Sequence, residues 1–246
     1  TSDSSRLLYC AEINGRRNLY LMELATGDAV QLTEGDALDD YGAMISADDK
    51  SVYYQQDRKV WKLDLATLQR TCLYAAPDGW DCGNWGMSDD NRYLVMTETR
   101  RDTLPDLTGK KGWEFFPLTC AAKPLCHIVY LDTQTGEHHI VVEDRCWFGH
   151  AQLRPGDPDT ILFCHEGPYD MIDARLWLIQ SDGSRYRCAR PQPKDVIITH
   201  EFWMPTGDRL AYVYRKADDG STETIRMMRP ETLEEELFMP CLPYAH

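Results

Sequence analysis

The chain has 246 residues, of which 43% are hydrophobic, and carries 26 Lys and Arg against 40 Asp and Glu, a formal net charge of −14. So acidic a surface repels nucleic acid and anionic membranes, and neither is an expected partner. No run of about eighteen apolar residues is present, so we expect no transmembrane helix. The N-terminal TSDSSRLLYC has no basic and apolar leader, and the missing initiator Met leads us to expect an earlier native start.

Nine cysteines are scattered along the chain without a C-x-x-C pair. Their odd number and spacing argue against a disulfide framework and a zinc ribbon. They favour a reducing compartment, so the sequence predicts a cytoplasmic protein.

Short apolar and β-branched runs recur from the N-terminus onward, each bounded by Gly, Asp, Asn or Pro, which predicts strands joined by turns. The runs repeat along the chain. One half of the repeating unit occurs five times, as LYLMELATGDAVQLT (19–33), VWKLDLATLQRTCLY (60–74), IVYLDTQTGEHHIVV (128–142), LWLIQSDGSRYRCAR (176–190) and IRMMRPETLEEELFM (225–239). The other half of the unit lies between these copies and occurs as MISADDKSVYYQ, GMSDDNRYLVMT, QLRPGDPDTILFCH and WMPTGDRLAYVY.

The repeating unit is therefore four short strands with a period of roughly 41 to 50 residues, which is typical of a β-propeller blade. We predict an all-β fold, a single β-propeller domain over 1–246 with about five blades near 5–40, 41–80, 81–145, 146–195 and 196–246. The first copy lacks an opening strand and the last a closing segment, so we expect the propeller to be incomplete at both ends. A five-bladed propeller closed as it stands is the alternative.

A polar insertion, TRRDTLPDLTGKKGWEFFPLTCAAKP, occupies 99–124 and lengthens one repeat. Insertions in repeat proteins usually project from one face and often help to bind ligands. We expect this one to do the same.

Two histidines, fifty residues apart, hold the same place in successive repeats: His150 and His200 each stand five residues before a proline. The first strand of a propeller blade lines the central channel, so both side chains are predicted at one channel mouth. Tyr41 and Gly83 occupy this place in earlier repeats, so the fold does not require histidine, and one further period lands near His246. Converging imidazoles suit a divalent metal or a general base, although hydrogen-bonded structural histidines are the simpler alternative.

The segment CHEGPYDMIDAR follows the next strand, and its Gly-Pro pair ends that strand, so His165 and Arg175 are expected near a loop. Arg175 either holds a substrate carboxylate or pairs with Asp170 or Asp173. Glu201, beside His200, is either a partner of a ligand or a solvated side chain.

Familiar catalytic motifs are absent. The sequence has no G-x-S-x-G, P-loop, G-x-G-x-x-G or H-E-x-x-H, which disfavours an α/β-hydrolase, a P-loop nucleotidase, a dinucleotide enzyme and a zincin.

The segments GHAQLRPGDPDTILFCHEGP, DARLWLI and THEFWMPTGDRLAYV resemble the oligogalacturonate lyases of pectin-degrading bacteria. The resemblance extends over essentially the whole chain, and the GHxQ, CHEGP and THExW segments are specific to that family. It implies a seven-bladed propeller, of which an N-terminal part and roughly two C-terminal blades would be missing here. It also implies β-elimination on short, digalacturonate-type oligogalacturonides, giving unsaturated uronates that rearrange to keto-uronates.

The resemblance also implies residue roles. His150 of GHAQ would be the catalytic base, and His200 of THEFW one ligand of a manganese ion (Mn²⁺) or another divalent cation. Gln152, His165 and Arg175 match positions expected to bind the sugar.

Two departures from the family pattern stand out. The remaining metal ligands are expected in a Gln-x-x-His-x-His segment that this chain lacks, so they would lie beyond its end, with His246 a further candidate. His127 stands where a substrate-binding Arg is expected, and an imidazole binds a carboxylate more weakly.

Two alternatives to a lyase remain. A non-catalytic ligand- or protein-binding propeller would share the turn repeats but has no need for histidine at two equivalent positions. A hydrolase with two carboxylates is disfavoured, because no two acidic residues fall in register on the predicted channel strands.

Overall fold

The structure is a computed structural model that describes residues 1–35, 38–217 and 223–240, without the side chains of 39–41. Strands dominate this part of the chain, which confirms the all-β prediction. No helix in the described ranges is long and apolar enough to cross a membrane.

Five antiparallel sheets follow one another along the chain, and within each sheet the strands pair in sequence order. The first sheet has three described strands, β1 (Arg6–Ile13), β2 (Arg16–Glu23) and β3 (Ala29–Gln31). The second comprises β4 (Leu38–Ile45), β5 (Ser51–Gln56), β6 (Lys59–Asp64) and β7 (Arg70–Ala75). The third comprises β8 (Trp80–Met87), β9 (Tyr93–Arg100), β10 (Cys126–Asp132) and β11 (His138–Asp144). The fourth comprises β12 (Phe148–Arg154), β13 (Asp157–His165), β14 (Leu176–Gln180) and β15 (Arg187–Cys188), and the fifth β16 (Val196–Trp203), β17 (Leu210–Lys216), β18 (Thr224–Met228) and β19 (Glu235–Pro240).

The predicted turn between the first two strands of a unit recurs with one backbone geometry. In the second sheet the Ser46 hydroxyl donates to Asp48 Oδ1 at 2.6 Å, and Asp49 then takes a left-handed φ of 58°. In the fourth and fifth sheets Gly156 and Gly207 take the equivalent left-handed conformation, with φ of 74° and 69°. A short polar residue or glycine is needed there because a left-handed φ is costly for other side chains.

The hydrophobic core lies between neighbouring sheets rather than at one centre. Ile128 of the third sheet packs in one cluster with Phe163 of the fourth, and Leu178 of the fourth in another with Leu210 of the fifth. The first strands of successive sheets, such as β8, β12 and β16, also lie next to one another. This stacking brings the starts of β12 and β16, and with them the two histidines, to the same end of the assembly.

The insertion contains a helix that the sequence pattern does not predict. Two 3₁₀ turns, Arg101–Thr103 and Gly112–Glu114, precede an α-helix, α1 (Phe115–Ala122). Eight residues are too few for a helical period to be recognised, and so short a helix depends on tertiary contacts. Phe116 supplies one such contact, since its ring centroid lies 5.4 Å from that of Trp147 just before β12.

Two matched glycine substitutions test the turn geometry. A Cβ at Gly207 would lie 2.2 Å from the Pro155 carbonyl oxygen, whereas one at Gly156 would meet nothing within 4 Å. We expect Gly156→Ala to cost about 1–2 kcal/mol from the left-handed φ alone, and Gly207→Ala about 3 kcal/mol or more because of the added clash. Urea unfolding of both variants measures the difference, and equal losses would show that the fifth-sheet turn is not held against Pro155.

Candidate active site

Both candidate histidines sit in β-bulges. The β12–β13 register shifts between Gly149 and Gln152, and the β16–β17 register shifts between Thr199 and Phe202. Each bulge begins at the histidine.

His150 and His200 take left-handed φ values of 52° and 54°. Non-glycine residues seldom adopt this conformation, and in folded proteins it concentrates at functional sites. The β8 bulge falls between Cys82 and Trp85, so Gly83 holds the same place there. The side chain of Tyr41 lies outside what the structure describes.

His150 lies between two carboxylates from different segments. Its Nδ1 is 3.1 Å from Glu201 Oε1, and its Nε2 is 3.3 Å from Glu166 Oε1. The His150 side chain remains 33% exposed, whereas that of Glu201 is fully buried. Each ring nitrogen therefore faces a carboxylate, while part of the imidazole remains open to solvent.

Arg175 joins the same two carboxylates and is only 5% exposed. Its Nε donates to Glu201 Oε2 at 2.7 Å and its Nη1 to Glu166 Oε2 at 3.0 Å. The sequence offers Asp170 or Asp173 as the partner of Arg175, but the structure pairs Arg175 with Glu166 and Glu201. Its position therefore suits a role in holding these carboxylates in place.

The charges in this network shift the pKa of two of its members. Burial raises the pKa of the Glu201 carboxyl, but the positive charge of Arg175 and the hydrogen bond with His150 outweigh burial and hold that pKa well below its ordinary value. Burial lowers the pKa of His150, but its hydrogen bond with Glu201 and the charge of that carboxylate outweigh burial and raise it. Glu201 is thus a carboxylate at neutral pH, and its charge makes His150 a stronger base.

Gln152 ties the two bulges together. Its Nε2 donates to the main-chain oxygen of Glu201 at 2.8 Å, so the β12 bulge is fixed to the β16 bulge that carries His200. His200 itself is half-buried and makes contacts of its own. His246, the further candidate ligand, lies outside the described residues.

His165 points into an aromatic cluster. Its ring stacks on Trp177 with centroids 4.4 Å apart and on Phe148 at 5.7 Å, and its Nε2 lies 3.0 Å from the Tyr186 hydroxyl. Strand alternation separates it from Cys164, whose thiol lies on the side of Glu166.

His127 belongs to a buried cluster in the third sheet. Its Nε2 lies 2.6 Å from Glu143 Oε2 and its Nδ1 3.5 Å from Glu98 Oε2, while its ring stacks on Trp80 with centroids 3.7 Å apart. Burial raises the pKa of the Glu98 carboxyl. His127 is 5% exposed, so its place in the structure favours a supporting role.

One group near His150 could hold a metal ion: His150, Cys164 and Glu166 bring one ligand atom each to within 4.8 Å of one another. Burial, however, raises the pKa of the Cys164 thiol well above its ordinary value, and the protonated thiol donates to Glu166 Oε1 at 3.4 Å. A thiol suits softer ions than manganese, and Arg175 already neutralises Glu166. The group does not form a manganese site by itself, whereas the imidazole of His200 is a suitable nitrogen donor.

A substitution at Arg175 tests the buried network. We expect Arg175→Met to lower the free energy of unfolding by about 3–5 kcal/mol, because it leaves two buried carboxylates without their partner. Arg92→Met is the matched control, since Arg92 pairs with Asp132 while 44% exposed, and it should cost less than about 1 kcal/mol. Urea unfolding measures both, and a small loss for Arg175→Met would contradict a stabilising role for the network.

The pH dependence of stability tests the environment of His165. Burial lowers the pKa of His165 to about 4 from an ordinary value of 6.5. As the pH falls, the unfolded chain takes up this proton near pH 6.5 and the folded chain only near pH 4, so the folded state loses stability in that window. The loss by about pH 5 is roughly 2 kcal/mol.

The His165→Phe variant keeps the stacked ring and removes the titration, so this part of the pH dependence should vanish. Urea unfolding of wild type and variant at about pH 7 and about pH 5 gives the comparison. Parallel losses in the two proteins would show that His165 does not titrate in this way.

Comparison with known proteins assigns this chain to a family. The family model of oligogalacturonate lyases matches residues 1–246. The oligogalacturonate lyase of Dickeya dadantii is 38% identical over 250 residues, covering 100% of this chain and 63% of its own length.

Solved structures agree with the sequence match. The oligogalacturonate lyase of Vibrio parahaemolyticus superposes with a TM-score of 0.90 at 37% identity, covering 100% of this chain and 65% of that one. An oligogalacturonate lyase in complex with manganese gives a TM-score of 0.90 at 38% identity, over 98% of this chain and 64% of that one. TolB from Acinetobacter baumannii superposes with a TM-score of 0.62 at 14% identity, over 96% of this chain and 53% of that one. At this identity the likeness concerns the fold alone.

The chain spans about 63% of the length of the curated relatives that it matches. The matched range contains the segments that carry His150 and His200. The chain belongs to the oligogalacturonate lyase family.

Proposed function

We propose that the protein is a lyase that cleaves short oligogalacturonides by metal-assisted β-elimination in pectin degradation. The observation that carries the proposal is His150, an imidazole on a left-handed bulge, fixed by Glu201 on one side and one-third exposed on the other. A side chain fixed in this way suits proton transfer from a bound sugar.

His150 is proposed as the base that removes the C5 proton of the reacting galacturonate. Glu201 fixes Nδ1, so Nε2 is the nitrogen that takes the proton, and its contact with Glu166 is the longer of the two. The electrons of the C5–H bond form the C4–C5 double bond while the C4–O bond breaks, and the leaving oxygen takes up a proton. The products are an unsaturated uronate and a shortened oligomer.

Manganese, or another divalent cation, is the proposed cofactor, with His200 as one ligand. An imidazole nitrogen fits this ion, and a structural neighbour is in complex with manganese. When bound, such an ion stabilises the negative charge that develops on the substrate carboxylate. The other ligands are expected outside the described residues.

The remaining predicted site residues are proposed to act at different distances from the sugar. Gln152, half-buried between the two bulges, is placed to approach it. Arg175 acts through Glu201 and His150, because its guanidinium hydrogen-bonds to Glu201 and Glu166. His165 and His127 support the walls of the site through their ring contacts.

For the fold we propose that the five sheets are consecutive blades of a β-propeller, seven-bladed in the family. The likeness to TolB supports the architecture, and sheet order and packing fit it. We also propose a cytoplasmic location from the scattered cysteines, which favour a reducing compartment.

A non-catalytic binding propeller is the alternative, and it is not favoured. It gives no reason for two histidines at equivalent strained bulges, nor for a buried arginine and two carboxylates around one of them.

Substitution of the two histidines tests the mechanism. We expect His150→Ala to lower kcat by about 10³-fold or more, because the proton acceptor is lost. His200→Ala should weaken manganese activation while a large excess of the ion restores part of the activity. His139→Ala, at an exposed position, is the control and should leave kcat unchanged.

The measurement is the ultraviolet absorbance of the unsaturated product from digalacturonate, with added Mn²⁺ and with a chelator, on the full-length protein. Undiminished product from a folded His150→Ala variant would rule out His150 as the base. No product from the metal-loaded wild type would favour the binding propeller.

A further inference from the structure

A cavity of about 200 Å³ lies beside the segment that leads into His200. Its wall includes Phe116, Tyr169, Ile172, Arg175, Thr199 and Arg215. Three parts of the chain therefore enclose it: the helix of the insertion, the connection between β13 and β14, and the paired strands β16 and β17.

Close packing fixes the shape of this cavity. Gly167, in the β13–β14 connection, has a φ of 152°, and a Cβ there would lie 2.4 Å from Cys120 Sγ and 2.8 Å from Ile172 Cγ2. The helix of the insertion thus presses directly on the connection. The cavity is preformed, as ligand sites usually are.

The cavity shares residues with the candidate active site. Arg175 forms part of its wall and also holds Glu201 and Glu166, the two partners of His150. Thr199 immediately precedes His200. The cavity therefore borders the candidate active site along β16.

Accessible positive charge is present at the cavity. The Arg215 side chain is 47% exposed, and its Nε lies 3.7 Å from Glu223 Oε1, a long contact that contributes little. Lys194 does not line the cavity: its Nζ donates to the main-chain oxygen of Ile172 at 3.1 Å and lies 3.8 Å from Asp173 Oδ1. On a chain of net charge −14 the exposed guanidinium of Arg215 marks where an anionic ligand can be held.

The strand register sets the separation along the strands between Arg215 and His200, the proposed metal ligand. Arg215 pairs with Ile197, three residues before His200, and three residues of extended strand span about 10 Å. This distance exceeds one sugar unit. Arg215 is therefore better placed for the carboxylate of a neighbouring unit than for that of a unit held at His200.

We propose that the cavity binds a uronate unit beyond the pair whose linkage is cut, with Arg215 holding the carboxylate of that unit. The inference rests on the proposed function and deepens it, because it assigns the recognition of longer oligogalacturonides to a particular place. The planar guanidinium matches a carboxylate with two parallel hydrogen bonds. Tyr169 and Phe116 offer aromatic faces to the apolar C–H side of the sugar ring.

Kinetics with two substrates test this assignment on the full-length, manganese-loaded protein. Arg215→Gln should raise the KM of trigalacturonate about threefold to tenfold, because a charge-assisted hydrogen bond is lost. Its kcat, and its KM for digalacturonate, should stay unchanged. Lys216→Gln is the matched control: it removes the same charge one residue along β17, where the side chain points to the other face.

A binding experiment separates this inference from the proposed function. Calorimetric titration with trigalacturonate in the presence of a chelator needs no turnover. Weaker binding to Arg215→Gln but not to Lys216→Gln, in a protein that cleaves nothing, would keep the site and overturn the lyase. If the enzyme is active and the KM for trigalacturonate is the same in wild type and in both variants, the proposed site is wrong. The site is also wrong if Arg215→Gln raises the KM for digalacturonate and the KM for trigalacturonate equally.

Discussion

The buried pairing of Arg175 with Glu166 and Glu201 is the interaction on which the rest of the site depends. It links the loop after β13 and the residue before β14 to the bulge of β16, so it holds two sheets together where the histidines lie. Two carboxylates and one guanidinium leave this buried group with one negative charge in excess. These carboxylates raise the pKa of His150 although burial opposes protonation, and the imidazole becomes a stronger proton acceptor as a result.

The repeat shows how such a site arises from a structural unit. His150 and His200 open equivalent bulges, and each is followed by a residue at an equivalent position, Ala151 in the fourth sheet and Glu201 in the fifth. Ala151 is buried as part of the core. A carboxylate in place of a small apolar side chain at that position reaches back to the histidine of the preceding sheet. The bulge directs the side chain towards the preceding sheet, and a glutamate rather than an alanine at this position places a carboxylate beside His150.

Local features of the chain were predictable and contacts between sheets were not. The turn residues, the order of strands and the equivalence of His150 and His200 follow from a short repeating pattern, which acts within each unit. The partners of Arg175 come from the adjacent loop and from the next sheet, and no spacing in the sequence predicts these contacts. Strand alternation did hold one unused signal: it places Cys164 on the side of Glu166 and sends His165 to the opposite, aromatic side.

Because Glu166 and Glu201 neutralise Arg175, that arginine has little charge left with which to attract an acidic sugar. Recognition of carboxylates on so acidic a chain must then come from cations that face the solvent. A metal ion at His200 is one proposed source, and Arg215, at the wall shared with the insertion, is the other. Along β16, about three residues of strand, roughly 10 Å between Cα atoms, separate the partner of Arg215 from His200. Since the insertion and the β13–β14 connection shape the space at Arg215, these segments, rather than the histidine bulges, would decide how long an oligomer the site accepts.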